Sequence, residues 1–334
     1  MPEKHPENRQ IHLTSRPTTQ ATTANFTLVT TPLAPLAENQ VRVRNHYLSL
    51  DPYMRGRMND SKSYAPPQPL NQVMQGGTVG EVTESRNPNW HKGDKVRAMF
   101  GWQDYGTTDG TALQRLDSTI PLSAHLGPAG MPGVTAWYGL NEICKPQPGE
   151  TVVVSAASGA VGTVVGQLAK QAGAKAIGIA GGPEKCRYVK EHLGFDACLD
   201  HKSPTLAQDL HQAAPNGIDA YFDNVGGPIL DAVMLHMNAF GRIAVCGAIA
   251  GYDGPPLPMA RPNLILLSRL LVQGFIVSEH MDIWPKALKH LATLIATGQL
   301  KYRETIAQGL ESAPEAFLGM LKGQNFGKQL VKLT

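Results

Sequence analysis

Cysteine is scarce in this 334-residue chain: four residues, at 144, 186, 198 and 246, with no Cys-x-x-Cys pair and none in the first 143 positions. That inventory excludes a disulfide-stapled scaffold and any zinc site of structural cysteine spacing. Reduced thiols are expected, and Cys198 and Cys246, inside apolar strand-like runs, read as small core residues. An excess of one charge is also lacking. The net charge is +3, and the basic residues are scattered without the stripe or run that a phosphate backbone needs, so no nucleic-acid partner is expected. Long apolar runs are missing too. Stretches such as Leu264 to Leu267 fall far short of the roughly 18 residues of a membrane span. The opening MPEKHPENRQ has no apolar core of a secretion signal, which makes a cytoplasmic protein the expectation.

The length favours two domains. About the first 130 residues are rich in Pro, Gly and Thr and carry short alternating runs, Gln40 to Tyr47, Gly77 to Val82 and Lys95 to Met99, separated by turn signals; this texture predicts a compact barrel of short strands. From Pro132 onwards strand-like runs alternate with helical stretches. The runs are Thr151 to Ser155, Lys175 to Ala180, Ala197 to Asp200, Ala220 to Asp223 and Arg242 to Gly247, and the alternation predicts an α/β fold with a doubly wound parallel sheet. Leu271 to Val277 is expected to be its last strand. So apolar an edge needs cover, which points to a homodimer joined edge to edge. Trp284 to Gly298 reads as an amphipathic helix, and Ser312 with Glu315 as a capping box for a helix over Ala313 to Leu321. The final KQLVKL alternates again and is expected to return to the β domain.

The most informative stretch is TVVVSAASGAVGTVVGQLAK, Thr151 to Lys170. An apolar strand runs into a small-residue turn and then into a helix, with Ala157, Gly159 and Gly162 in the three slots of G-x-G-x-x-G; strand before and helix after mark a dinucleotide site. Gly159 leaves room for a pyrophosphate, Gly162 lets the helix press on the sheet, and the first N–H groups of the helix face the anion. Past the second strand an NAD site wants an acidic residue for the ribose hydroxyls. The chain has Ala180-Gly181-Gly182-Pro183-Glu184-Lys185 instead, and Lys185 with Arg187 can neutralise a 2′-phosphate, which favours NADP. Glu184 reads as a first-turn residue favoured by the helix dipole.

Ligands of parallel sheets gather at the carboxyl ends of strands, which marks Asn224-Val225-Gly226-Gly227 after the fourth and Cys246 to Tyr252 after the fifth. Asn224 is open to two readings, an amide offered to the cofactor or plain turn chemistry before Gly-Gly. In the first domain Tyr53, Tyr64, Trp102 and Tyr105 accompany Leu50 to Arg57. They suit an apolar substrate cleft with phenol donors or, equally, core packing.

Taken together, LSLDPYMRGRM, MPGVTAWYGL, AASGAVGTVVGQLAK, YFDNVGG, GRIAVCGAIAGY and LKGQNFGKQLVK resemble the medium-chain dehydrogenase/reductase superfamily, and within it the zinc-free prostaglandin reductase and alkenal (curcumin) reductase branch; the likeness spans Arg9 to Lys332. The resemblance implies a discontinuous GroES-like β-barrel domain over 1–130 and 302–334, and a Rossmann domain over 131–301. It implies NADPH as hydride donor and reduction of the carbon–carbon double bond of α,β-unsaturated ketones or aldehydes; the enolate so formed needs a donor, and Tyr252 and the nicotinamide-ribose 2′-hydroxyl are the candidates. Its cofactor residues fall on Thr135, Ala157, Ser158, Gly159, Ala160, Val161, Gly162, Lys185, Asn224, Cys246, Gly247, Ala248, Ile249, Tyr252, Phe275, Ile276, Val277 and Asn325. One position departs: a Tyr that meets the 2′-phosphate in mammalian members is matched by His201, which is open to two readings, a donor to the phosphate or a solvated surface residue. Where zinc-dependent relatives carry ligands this chain reads Ser49-Leu50-Asp51 and Gly76-Gly77-Thr78, so no metal is expected. Tyr53, Tyr64 and Trp102 are the expected substrate residues. A quinone reductase and a non-catalytic NADPH-binding protein are the alternatives.

Overall fold

A computed structural model describes residues 7–116, 118–255 and 257–334. The chain divides into two compact units: Met1–Leu126 with Glu304–Asn325 and Gln329–Thr334, and Gly127–Arg303 with Phe326–Lys328.

The first unit opens with strands β1 (Glu7–Leu13), β2 (Phe26–Pro32) and β3 (Val41–Ser49), a short helix α1 (Tyr53–Arg57), then β4 (Gln72–Val73), β5 (Thr78–Ser85), β6 (Lys95–Ala98), β7 (Tyr105–Thr108) and β8 (Gln114–Arg115). Strand β1 is the centre of a three-stranded sheet, between β2 and β4. The longer strand β3 organises the larger sheet, because β5 pairs along nearly its whole length and β7 takes the first half of the opposite edge. Every pairing is antiparallel, as short connections between successive strands require.

The second unit contains α2 (Met131–Tyr138), β9 (Thr151–Ser155), α3 (Gly162–Gln171), β10 (Lys175–Ala180), α4 (Pro183–Glu191), β11 (Ala197–Asp200), α5 (Leu206–Ala213), β12 (Ile218–Asp223), α6 (Gly227–Met234), β13 (Met237–Val245), α7 (Asn263–Leu267), β14 (Leu271–Gly274) and α8 (Trp284–Ala296). Its strands form one parallel sheet in the order β11-β10-β9-β12-β13-β14, the doubly wound Rossmann arrangement. Helices cover both faces, so the central strand β9 is buried at all five positions and reads as an unbroken apolar run. One face packs Val152, Val154 and Phe222 against α2, α3 and α8. The other packs Val153, Ile179 and Tyr221 against α5 and α6. The chain then returns to the first unit through β15 (Glu304–Gln308), α9 (Ala313–Leu321) and β16 (Lys328–Lys332), and β16 takes the free edge of β3 at Tyr47 to Ser49.

Three sequence expectations need correction. The expected strand Arg242 to Gly247 starts earlier, at Met237, through a register shift, and stops at Val245 because Cys246 and Gly247 both turn their N–H groups to the Asp223 carbonyl. The expected strand Leu271 to Val277 stops at Gly274, since Phe275 swings into the core and a 3-10 turn follows at Val277–Glu279. The capping box is not formed. Ser312 has helical backbone angles at the end of a preceding 3-10 turn, and its hydroxyl donates back to the Gly309 carbonyl at 2.7 Å.

Candidate active site

Three loops at the carboxyl end of the parallel sheet carry most of the expected cofactor residues. The first follows β9. Ala156 holds a left-handed φ of 48°, Gly159 N–H returns to the Ala156 carbonyl at 2.8 Å, and Thr163 N–H reaches the Gly159 carbonyl at 3.1 Å. With these turns closed, the head of α3 presents the N–H groups of Ala160, Val161 and Gly162, the place where a helix receives an anion. Gly162 is obligatory here: a Cβ would lie 2.3 Å from the Ala156 carbonyl oxygen. Ala157 shapes the turn without facing a ligand, because its side chain is in the core and its N–H bonds to the Ile179 carbonyl at 3.0 Å. The buried Ser158 gives its carbonyl to Gly327 N–H at 3.1 Å, so Phe326–Lys328 braces the turn from behind.

The second loop follows β10 and gathers positive charge. His201 N–H caps the Ala180 carbonyl at 3.0 Å, and its imidazole lies over Gly181, where a Cβ would come within 2.9 Å of Nε2 and 3.8 Å of Lys202 Cε. Asp200 Oδ1 accepts the N–H groups of Gly182 at 2.9 Å and Lys202 at 3.0 Å, fixing the loop. Lys185 is half-buried at the first turn of α4; burial holds its ammonium below the ordinary lysine range, and repulsion from Lys202 adds to the effect. A half-buried lysine repelled by a second lysine, with an imidazole beside them, fits a phosphate dianion, whose charge offsets the cost at Lys185. Lys202 was not singled out by sequence reasoning, although its place beside His201 was the available signal. Arg187 is exposed farther along α4, and Glu184 is exposed in its first turn.

The third region joins the loops after β12 and β13. Asp223 is its hub: Oδ1 receives the Ser155 hydroxyl at 3.0 Å, the Tyr221 hydroxyl at 2.7 Å, and the N–H groups of Val225 and Gly226 at 3.0 Å each. Burial pushes the Tyr221 hydroxyl well up, so it stays a donor. Asn224 is tied down by two bonds to Ser155, its N–H to Oγ and its Nδ2 to the carbonyl, both at 2.8 Å. Ile249 N–H then reaches the Asn224 carbonyl at 3.3 Å and Ala250 N–H the Val225 carbonyl at 3.2 Å, so the two loops are zipped together. Tyr252 folds back over this zip, its phenol oxygen accepting Ala248 N–H at 3.2 Å and lying over Gly247. It borders a cavity of about 290 Å³ with Asp223, Gly226, Gly247, Ala248 and Met259. Burial lifts the Cys246 thiol to about 12, leaving it neutral. Sequence reasoning missed Ser155, Tyr221 and Asp223; the Asp directly before Asn224 was the only hint.

Other expected residues are less clearly placed. Thr135 returns its hydroxyl to the Met131 carbonyl at 2.8 Å, within α2. Phe275 and Val277 turn their side chains into the core, Phe275 against Tyr138 and Phe222, so only backbone groups and the half-buried Ile276 remain to meet a ligand. Asn325 belongs to the other unit, where it lines a shallow pocket with Thr305, Gln324 and Gln329. In that unit Tyr53 and Tyr64 flank Arg57, whose guanidinium carbon is 6.0 Å and 5.3 Å from their ring centres. Burial, then the charge of Asp51, pushes the Tyr53 phenol up and keeps it protonated. Trp102 is corrected: it is 0 % exposed, stacked on Phe26 at 5.4 Å and edge-on to Phe317 at 5.6 Å. It is a core residue. Among the described residues no group of three or more His, Cys, Asp or Glu is arranged to hold a metal ion, and no helix is long and apolar enough to cross a membrane.

Two known domain families match the chain, an N-terminal domain of oxidoreductase over residues 9–116 and a zinc-binding dehydrogenase domain over residues 160–293. The NADPH-dependent curcumin reductase of Escherichia coli is 44% identical, covering 100% of this chain and 99% of the relative. The NADP(+)-dependent 2-alkenal reductase of Nicotiana tabacum is 43% identical, over 90% of this chain and 89% of the relative. Among solved structures, CurA from Vibrio vulnificus in complex with NADPH superposes with a TM-score of 0.93 at 44% identity, covering 98% of this chain and 99% of that one. With its parallel Rossmann sheet, its separate antiparallel unit and relatives of this similarity along its whole length, the chain belongs to the medium-chain dehydrogenase/reductase superfamily, in the zinc-free prostaglandin reductase and alkenal reductase branch.

Proposed function

We propose that this protein is a cytoplasmic NADPH-dependent reductase of the carbon–carbon double bond in α,β-unsaturated ketones and aldehydes. The observation that carries the cofactor half is the trio Lys185, His201 and Lys202 around Gly181, where an NAD site has a carboxylate. The reaction half is supported by relatives named as curcumin and 2-alkenal reductases. The head of α3 receives the diphosphate, the basic trio holds the 2′-phosphate, and the zipped loops with Asn224 seat the nicotinamide end. When bound, NADPH supplies a hydride to the substrate β-carbon.

Tyr252 is the proposed catalytic residue. Its phenol oxygen already accepts the Ala248 N–H, which polarises its own O–H toward the substrate carbonyl oxygen, where negative charge gathers. Tyr53 and Tyr64 are proposed to contact substrate, with Tyr53 kept as a donor by its raised phenol. The fully buried Trp102 is not part of this set. No nucleic-acid partner is proposed.

The test is NADPH oxidation against a panel of enones, alkenals and quinones with products identified. The expected product is the saturated ketone or aldehyde. A hydroquinone as the main product identifies a quinone reductase, and cofactor binding with no turnover across the panel identifies a binding protein.

A homodimer joined along β14 completes the proposal. This strand is the outer edge of the parallel sheet, with Leu266, Leu267 and Leu271 exposed beside it. Sedimentation at micromolar concentration is expected to give the mass of two chains; the mass of one overturns it.

A further inference from the structure

Gly178 sits in the middle of β10, between strands on both sides, and its missing side chain leaves a notch beneath α4. Three side chains fill that notch. A Cβ at Gly178 would lie 2.8 Å from Ala157 Cβ, 2.9 Å from Val189 Cγ1 of α4 and 3.2 Å from Sγ of Cys198, its register partner on β11. Cys186 precedes Val189 by three residues, about one helical turn, and so shares its face of α4. Cys186 and Cys198 are neighbours there, each thiol shifting the other's titration.

The pair is electronically uneven. The interaction with Cys198 lowers the Cys186 thiol, against the cost of burial and the nearby Asp200 carboxylate, and a backbone bond at Ala180 adds to the lowering. Its place in the first turn of α4 acts in the same direction. Cys198 is raised, first by that interaction and then by burial, and so keeps its proton. Both are half-buried, whereas Cys144 is sealed in the core and lifted to about 12.

We infer that Cys186 and Cys198 form an oxidisable dithiol, a modification site for peroxides, whose disulfide ties the first turn of α4 to β11 and loosens the adjoining grip on the 2′-phosphate. The Cys186 thiolate attacks hydrogen peroxide: an S–O bond forms, the O–O bond breaks, and the departing oxygen leaves as water after taking a proton, giving a sulfenic acid. The Cys198 sulfur then attacks the sulfenic sulfur: S–S forms, S–O breaks, and the hydroxyl leaves with the Cys198 proton as water. Two thiols have lost two electrons and two protons, and one peroxide has become two waters. Free thiols must close to about 2.05 Å to form the bond, so α4 or β11 has to shift. Lys185 is the residue before Cys186, and Asp200, which anchors Gly182 and Lys202, lies two residues past Cys198. The disulfide stands on the placement of the two thiols on α4 and β11, while its effect on cofactor rests on the NADPH reading above.

The experiment treats the full reduced chain with hydrogen peroxide, maps the thiols by peptide mass, and titrates NADPH and NADH before and after. The expected result is a Cys186–Cys198 linked peptide two hydrogens lighter, restored by dithiothreitol and absent from Cys186→Ser and Cys198→Ala. NADPH Kd is expected to rise about tenfold, the loss of one charge-assisted hydrogen bond, with NADH Kd unmoved. Cys186 carried to a sulfinic acid while Cys198 still alkylates overturns the dithiol, as does a failure of either to oxidise. A linked peptide with NADPH Kd unmoved overturns the coupling. A reduced protein that binds NADH as well as NADPH refutes the cofactor reading and leaves the linked peptide standing.

Discussion

Replacing Tyr252 by Phe lowers kcat/KM on an enone by about a hundredfold, the loss expected for one preorganised donor at a developing oxyanion, and leaves NADPH Kd within about twofold. The substitution is structurally mild. It removes the acceptor of the Ala248 N–H, and Ala248 is exposed, so water replaces the phenol oxygen there. The ring stays over Gly247 and beside the cavity. Steady-state kinetics with a fluorescence titration of cofactor separates the two effects. Full kcat/KM in the variant removes Tyr252 from the chemistry; loss of kcat/KM together with cofactor affinity makes it a binding residue.

Gly181→Asp is expected to raise the KM for NADPH about a hundredfold and to lower that for NADH. Each charge-assisted bond to the 2′-phosphate contributes about 1.5–3 kcal/mol, and a carboxylate among Lys185, His201 and Lys202 takes those donors for itself. The same carboxylate can accept the hydroxyls of an unphosphorylated ribose. The position tolerates a side chain: Gly181 has no left-handed φ, and the nearest obstacle to its Cβ is the end of the His201 ring, which can swing. Initial rates with both cofactors read the switch. A KM for NADPH within threefold of the parent places the 2′-phosphate elsewhere.

Backbone elements with a strong local signature were legible in the sequence. Strand β9, α3 and β10 follow from an apolar run, a glycine-rich turn and a Gly173 with φ 81° just past the helix. Elements shaped by distant partners were not. Strand β13 ends where it does because one carbonyl, that of Asp223, collects two N–H groups, and β14 ends because Phe275 has a core cavity to fill beside Tyr138 and Phe222. Side-chain direction was the least readable property. Trp102 and Tyr64 carry the same kind of aromatic signal, yet one is sealed between two phenylalanines and the other is 52 % exposed. The cofactor-facing residues were visible as a motif, while the network of Ser155, Tyr221 and Asp223 that holds them lies on two strands nearly seventy positions apart and has no common signature.

That network has a consequence for how the enzyme can change. One carboxylate oxygen gathers hydrogens from two strands and from the turn after β12, and the loop after β13 hangs on the same residue's carbonyl. Substitutions in either loop are therefore epistatic, each one's effect depending on the other's sequence, whereas the trio around Gly181 and the Tyr53–Arg57–Tyr64 cluster lie outside this carboxylate's hydrogen bonds and are expected to vary additively. Selection for new substrates or cofactors reaches those outlying clusters by single steps and this hub only by coordinated ones.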